Sequence, residues 1–233
     1  MTSRRQFLKY IPCTFVVTKY NAVLADNKNV INYKITAKKT SFSFKDNTSA
    51  ELLLYNDTNP GPTLKGNVGD ILRVNFTNNL DEPTSIHWHG IKNINKMDGV
   101  PYLTQDPVQP GETFSYEFPV NQSGTYWYHA HMDSWKQVAK GLYGPLVVND
   151  KTDDLIEDDI VILADDWRLD KNYEIDEKSF GSLMDWSHAG RVGNWLTING
   201  EKSPQYSIKA NSRARLRFIN ASNARILKFG SSL

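Results

Sequence analysis

The segment SIHWHG, residues 85–90, places two histidines one residue apart, and GTYWYHAH, residues 124–131, does so again. In an extended strand, residues i and i+2 project from the same face, so each pair is expected to point one way from its strand. Neighbouring strands lie about 4.8 Å apart, and two such strands side by side would bring four imidazoles into one small volume. The sequence therefore predicts two adjacent β-strands that share a histidine face. The four histidines are His87, His89, His129 and His131.

Four imidazoles packed together predict a metal site. The chain contains five histidines, of which four lie in these pairs. A random placement of five histidines would give roughly 0.085 such pairs. Packing basic rings together gains little unless a cation holds them, and neutral imidazole binds copper, zinc, iron and nickel at roughly 2 Å. The alternatives are ordinary surface histidines, a zinc site without copper, and a cupin-type iron site. No glutamate follows HWHG within ten residues, which disfavours the iron site.

Alternating patterns elsewhere predict an all-β fold. GDILRVNFTN, residues 69–78, and ETFSYEFPV, residues 112–120, alternate apolar with polar residues, as half-buried strands do. DDIVILADDW, residues 158–167, has a continuous apolar centre, which is expected of a strand buried on both faces. Turn sequences such as NPGP and QPGE separate these segments. Short strands at such intervals are typical of a β-sandwich or a β-barrel.

A further alternating segment, SRARLRFINAS at residues 212–222, carries arginine at every second position. We expect its arginines to form one solvated strand face. They are not expected to form a nucleic-acid patch, because no aromatic residues alternate with them on that face. The arginines are Arg213, Arg215 and Arg217, and the residues opposite are Ala214, Leu216 and Phe218.

A weak internal repeat at an offset of 142 residues suggests two copies of one β unit. The matched pairs are Pro62 with Pro204, Arg73 with Arg215, Phe76 with Phe218, and Asn78 with Asn220. Such a repeat predicts a first domain over residues 26–150 and a second domain over residues 151–233 that is incomplete. Four identities are also compatible with coincidence.

The first 25 residues differ from the rest of the chain. Arg4 and Arg5 are followed by the apolar run IPCTFVV and by small residues ending at Ala25, the three parts of a secretory signal. SRRQFLK also resembles a twin-arginine export signal, so we expect export to the periplasm; the alternative is a disordered basic N-terminus. The only cysteine, Cys13, lies in this segment, so the predicted mature chain has neither a disulfide nor a thiolate ligand.

The net charge and the lengths of the apolar segments argue against a nucleic-acid-binding protein and against a membrane-spanning one. The formal net charge is +1, so no overall basic field favours nucleic acid. No segment approaches the roughly 18 to 20 consecutive apolar residues of a membrane span. We therefore expect neither a nucleic-acid partner nor a membrane span.

Several motifs together resemble those of a known family. HWHG, MDGVP, QPGETFSYEF, GTYWYHAH and GLYGPLVV, in this order, closely resemble the first domain of the multicopper oxidases, which include laccases and bacterial cuprous oxidases. LADDWRLD and NWLTINGE look like the start of the second domain of that family. The resemblance implies cupredoxin-like Greek-key β-sandwiches in tandem, the second one incomplete in this chain.

The resemblance also implies roles for the histidines. Members of the family take electrons from a reducing substrate at a type 1 copper and reduce dioxygen to water at a trinuclear cluster. By position, His87 would bind the type 2 copper, His89 and His129 would bind one type 3 copper, and His131 would bind the other. Asp98, in MDGVP, matches an acid that relays protons near the cluster. The alternative for Asp98 is a turn aspartate before a glycine.

The family pattern is only partly present in this sequence. The H-x-x-H-x-H and H-C-H motifs, which supply the remaining cluster ligands and the type 1 cysteine, do not occur. We therefore expect the N-terminal part of a multicopper oxidase that is inactive alone. The alternatives are a periplasmic copper-binding or copper-tolerance module without turnover and a copper-free relative acting in cell division, which the four intact histidines disfavour. A copper nitrite reductase and a two-domain laccase are excluded, because both need a cysteine ligand.

Overall fold

The computed structural model describes residues 28–150 and 155–230, which form three β-sheets. The predicted signal segment, residues 1–25, and Cys13 lie outside the described residues. The first sheet has the strand order β2-β1-β4-β6 and the second the order β3-β8-β7-β5. These strands are β1 (Val30–Phe42), β2 (Ala50–Tyr55), β3 (Leu64–Asn67), β4 (Ile71–Asn79), β5 (Ile86–His89), β6 (Thr113–Pro119), β7 (Gly124–Ala130) and β8 (Tyr143–Asn149).

The third sheet, with the order β10-β9-β11, lies in the C-terminal part of the described chain. Its strands are β9 (Asp158–Trp167), β10 (Trp195–Ile198) and β11 (Ala214–Asn220). Among the described residues, the helical elements are single turns, namely α1 (Ser134–Gln137), α2 (Leu183–Ser187) and the 3-10 turns Asn95–Met97 and Glu177–Ser179. The all-β Greek-key prediction is confirmed. Among the described residues, no helix has the length and apolar character that crossing a membrane requires.

The first two sheets pack face to face around an aromatic core. Leu72, Val74 and Phe76 of β4 are buried and alternate with half-buried polar residues, as the sequence predicted. Trp88 of β5 lies in the same core, where its ring packs on that of Phe118 at 4.7 Å between centroids. The opposite face of β5, which carries the histidines, therefore points away from this core.

The third sheet packs against the sandwich through a second apolar cluster. Leu52 and Leu54 of β2 meet Leu163 and Trp167 of β9 there. The C-terminal half of β9 is buried throughout, as predicted, although that half includes two aspartates. The Tyr143 hydroxyl donates a hydrogen bond of 2.7 Å to one of them, Asp165. This contact ties β8 of the sandwich to β9.

The orientation predicted for β11 is wrong. Leu216 and Phe218 are 45% and 47% exposed, whereas Arg217 is only 6% exposed. The Arg217 guanidinium forms two hydrogen bonds with the Asp159 carboxylate and one each with Thr125 and Asn149 of the sandwich. The arginine face is therefore the inner face of β11, because it finds ionic and polar partners on the sandwich.

The predicted domain division at residues 150 and 151 stays a prediction. The two sheets of the sandwich end at Asn149, and the third sheet begins at Asp158. Residues 151–154 of the connection between them are outside the described residues.

Candidate metal centre

The two histidine pairs meet because β5 and β7 are antiparallel neighbours. In their register, His87 lies opposite His129, and His89 lies opposite Trp127. Residues directly opposite in such a pair project from the same face of the sheet. His131 follows the end of β7, where its backbone N–H donates to the Ser85 carbonyl at 3.2 Å and prolongs the pairing. The predicted convergence of the pairs is therefore present.

The four rings form one cluster. Ring centroids lie 5.2 Å apart for His87 and His131, 5.5 Å for His87 and His129, and 5.5 Å for His89 and His129. Potential ligand atoms of His87, His89 and His129 all lie within 4.8 Å of one another. His131 stands at the edge of this tight group of three, against the ring of His87.

Two backbone carbonyls orient two of the rings. The His87 Nδ1 lies 2.7 Å from the Asp98 carbonyl oxygen, and the His129 Nδ1 lies 2.9 Å from the carbonyl oxygen of Ala130. A carbonyl oxygen only accepts hydrogen bonds, so each Nδ1 carries the proton and donates it. Each Nε2 then keeps its lone pair, which is the form that a metal ion requires.

The environment favours the neutral form of two of the imidazoles, His89 and His129. Burial, together with the neighbouring imidazoles, lowers the pKa of His129 to about 4, although its hydrogen bond to Ala130 opposes the shift. Burial is also the main reason that the pKa of His89 is lowered, with further contributions from His87 and His131. Neutral rings at neutral pH can ligate a cation without first losing a proton.

One distance tests whether the cluster fits a metal ion. The His89 Nδ1 and the His129 Nε2 lie 3.3 Å apart. Two nitrogens that are each about 2.0 Å from one ion, at a tetrahedral angle, would be separated by about 3.3 Å. The imidazole donors suit copper, zinc, iron or nickel better than calcium or magnesium, which prefer oxygen ligands. The residues present therefore fit a transition-metal ion.

Asp98 lies behind His87, on the side of the ring away from Nε2. Its carbonyl holds the His87 Nδ1, and its carboxylate Oδ1 lies 3.7 Å from the same nitrogen. Gly99, which follows, has a φ of +79°, and a side chain there would collide with the carbonyl oxygen of Ile86. This glycine therefore lets the loop lie directly against β5 and brings Asp98 to the cluster.

The structure adds one residue that the sequence analysis did not assign to the site. The Trp127 ring stacks on His89 with 5.2 Å between centroids and an interplanar angle of 30°. It also lies 4.4 Å from the ring of His129. The strand period of two could have placed Trp127 on the histidine face, since it is two residues from His129. Its contact with His89 depends on the register of β5 and β7.

The cluster opens into a cavity of about 870 Å³ between the sandwich and the segments that precede β10 and follow β11. Apolar side chains that line it are Trp135, Phe180, Leu183 and Trp186. The fifth histidine, His188, is exposed outside this cavity, and its Nδ1 lies 2.9 Å from the Ser187 hydroxyl oxygen. Among the described residues, His188 joins no ligand group.

A known family model matches the chain over residues 36–153; its description is multicopper oxidase. The chain is 34% identical over 207 residues to Laccase-1 of Cryptococcus neoformans var. neoformans, covering 78% of this chain and 33% of that protein. It is 34% identical over 210 residues to the multicopper oxidase mco of Staphylococcus haemolyticus, covering 87% of this chain and 45% of the relative.

A solved structure has the same fold. The crystal structure of a multi-copper oxidase from Pseudomonas thermotolerans superposes with a TM-score of 0.81 at 34% identity, covering 85% of this chain and 48% of that one. The cupredoxin-like fold prediction is thereby confirmed. The chain spans between a third and just under half of the length of these three proteins.

Proposed function

The chain belongs to the multicopper oxidase family, and on that premise we propose that it is the N-terminal portion of a multicopper oxidase. In this proposal its histidine cluster supplies four ligands to a trinuclear copper centre. The observation that carries the proposal is the 3.3 Å approach of the His89 Nδ1 to the His129 Nε2, a separation suited to a shared ion. The whole enzyme would oxidise a reducing substrate in one-electron steps and reduce dioxygen to water.

The resemblance to the multicopper oxidases suggests the roles of the histidines, and their positions in the cluster are compatible with those roles. His89 and His129 would together hold one type 3 copper. His87, whose Nδ1 is tied to the Asp98 carbonyl, would direct Nε2 toward the type 2 copper. His131, at the edge of the group, would hold the second type 3 copper. When bound, copper would supply the electron transfer, while these side chains fix its position.

Asp98 is proposed to move protons beside the cluster. Its carboxylate lies 3.7 Å from the His87 Nδ1 and is partly exposed, so it can exchange protons with solvent. It would therefore act through His87 and the surrounding water rather than as a ligand. Asp98→Asn is expected to keep copper binding while slowing oxygen reduction in an enzyme with a complete ligand set.

The chain alone is expected to hold copper without turnover. Four imidazoles leave each ion with fewer ligands than a redox-active cluster needs, and the only cysteine, Cys13, lies in the predicted signal segment. The second candidate, a copper-binding module without an oxidase role, rests on the same open cluster. Export to the periplasm through a twin-arginine signal remains a further proposal, testable by cell fractionation of the Arg4→Lys/Arg5→Lys variant.

A copper titration of the purified chain tests the site. We expect the wild-type chain to bind at least one equivalent of Cu²⁺, measured by calorimetry and by metal analysis after gel filtration. His89→Ala/His129→Ala is expected to abolish the tight binding, because it removes both nitrogens of the shared position. His188→Ala is the matched control and should bind copper like the wild type.

Two results would overturn the proposal. One is a wild-type chain that binds no copper, and the other is a double variant that binds it as tightly as the control. An oxygen-electrode assay with cuprous ion and with a phenol then separates the roles. Oxygen uptake by the isolated chain would contradict the expectation that the chain alone is inactive.

A further inference from the structure

The four rings are not held in the same way. His87 and His129 each donate Nδ1–H to a backbone carbonyl, so their orientation is fixed from behind. Among the described residues, the His89 ring has no carbonyl or carboxylate partner, and its one polar contact is to the Nε2 of His129. Histidines that bind a metal almost always have such a partner on the other nitrogen, because it fixes the ring orientation. His89 therefore needs another means of support.

Trp127 is placed to supply that support. It lies directly opposite His89 in the register of β5 and β7, on the face that carries the histidines. Its indole ring is nearly parallel to the His89 ring, at 30° and with 5.2 Å between centroids. Offset stacking of this kind fixes a ring plane without occupying either nitrogen of His89.

The same indole ring also touches the second ligand of the pair. Its centroid lies 4.4 Å from that of His129, which is two residues further along β7. Trp127 itself is half-buried and packs against the apolar cluster that joins the sandwich to the third sheet. The indole ring therefore contacts the rings of both members of the pair.

We infer that Trp127 is a positioning residue that holds His89 and His129 at the separation required for a shared copper ion. This inference rests on the proposed copper site for its consequence, whereas the contacts of the indole ring belong to the fold itself. Trp127 orients the His89 ring, as a backbone carbonyl orients the His87 ring. It acts through the two histidines and is not itself a ligand.

Copper affinity in a matched set of variants tests the inference. Trp127→Leu removes the flat surface, and we expect the affinity for the first Cu²⁺ equivalent to fall by about 10- to 100-fold, the usual effect of losing a supporting partner. Trp127→Phe keeps an aromatic face and should stay within a few-fold of the wild type. Trp135→Leu, the same substitution at an exposed tryptophan of the same cavity, should leave the affinity unchanged.

A measurement without copper separates this inference from the proposed function. In NMR spectra of the metal-free wild type, we expect nuclear Overhauser contacts from the Trp127 indole to the rings of His89 and His129. In Trp127→Leu, the ring-current shift of His89 should disappear while the resonances of His87 stay in place. This readout does not depend on whether the chain binds copper.

The outcomes are distinct. A wild type that binds no copper but shows the indole contacts would overturn the proposed function and leave the positioning role standing. A wild type that binds copper, with Trp127→Leu binding equally well, would overturn the positioning role alone. Equal weakening in Trp127→Leu and Trp135→Leu, or absent indole contacts, would also overturn it. Absent indole contacts in the wild type would overturn the inference even if the leucine variant does not fold.

Discussion

Strands β4 and β11 have the same alternating pattern, yet they bury opposite faces. Val74 and Phe76 of β4 are fully buried, whereas their counterparts in the predicted repeat, Leu216 and Phe218 of β11, are about half exposed. Each strand also pairs in parallel with a neighbour, β4 with β1 and β11 with β9. The two strands therefore agree in pattern and pairing and differ in what lies above each face.

The neighbouring layer determines which face is buried. The second sheet of the sandwich covers the apolar face of β4. The polar face of β4 stays in solvent, where Arg73 pairs with Glu117. For β11, the described residues provide no second layer over the apolar face, and the arginine face lies against the sandwich. Alternation thus indicates a strand, but the choice of inner face depends on the partner layer that is present.

The largest difference in stability is expected when the phenyl ring is removed at each of the two matched positions, Phe76 and Phe218. Phe76→Ala leaves a cavity in a closed core, so we expect the free energy of unfolding to fall by about 3 to 5 kcal/mol. Phe218→Ala removes a half-exposed ring that contacts Phe229, and should cost less than about 1 kcal/mol. Urea denaturation followed by far-UV circular dichroism measures both. Similar losses for the two variants would contradict the difference in covering.

The arginines give the second test. Arg217→Met leaves the Asp159 carboxylate without its main cation at the boundary between β11 and the sandwich, and should cost about 3 kcal/mol. Arg73→Met breaks a similarly short ion pair, with Glu117, in solvent, and should cost less than about 1 kcal/mol. The same urea denaturation applies. An Arg217→Met chain as stable as Arg73→Met would mean that the inner position of Arg217 contributes little to stability.

The histidine cluster was the most predictable part of the site. The period of two in a strand fixes that His87 and His89 share a face, and the same holds for His129 and His131. Only the adjacency of β5 and β7 had to be assumed. The carbonyl partners of His87 and His129 could not be predicted, because they depend on where a loop lies and on local backbone geometry. Trp127 was missed because its role depends on strand register, which a single segment does not encode.

The third sheet was less predictable than the sandwich. The buried character of β9 was predicted from its apolar centre, but the hydrogen bond from Tyr143 to Asp165 needs two strands that are distant in the sequence. The inner face of β11 was predicted wrongly, because charged residues are usually solvated. Nothing in the segment indicated that Asp159 would be the partner of Arg217. The hydrophobic pattern alone therefore does not predict polar groups that pair across the boundary between two layers.

A third test concerns the buried carboxyl group in the same boundary. Burial, with the negative charge of Asp166 nearby, raises the pKa of Asp165 to about 7, although the Tyr143 hydroxyl opposes the shift. The folded chain therefore holds a proton that the unfolded chain has lost between pH of about 4 and about 7, so the contribution of Asp165 to stability falls as pH rises through this window. The slope cannot exceed about 1.4 kcal/mol per pH unit.

Asp165→Asn removes this dependence and keeps an oxygen that can accept from Tyr143. We expect the stability of the variant relative to the wild type to increase from pH 4 to pH of about 7 and to level off above it. Thermal unfolding monitored across that pH range gives the comparison. Asp46→Asn, at an exposed turn, is the control. Parallel curves for Asp165→Asn and the wild type would contradict the assigned burial effect.

The smallest expected effect returns to the uncovered face of β11. Leu216→Thr exchanges a half-exposed apolar side chain for a β-branched polar one with good strand propensity, so stability should change by less than about 0.5 kcal/mol. Val74→Thr, at the matched position of β4, buries a hydroxyl group in the aromatic core and should cost about 1 to 3 kcal/mol. The two variants introduce the same side chain at matched positions, which differ mainly in the layer that covers them. A loss above about 1 kcal/mol for Leu216→Thr, with the chain monomeric by light scattering, would mean that β11 is stabilised through its outer face after all.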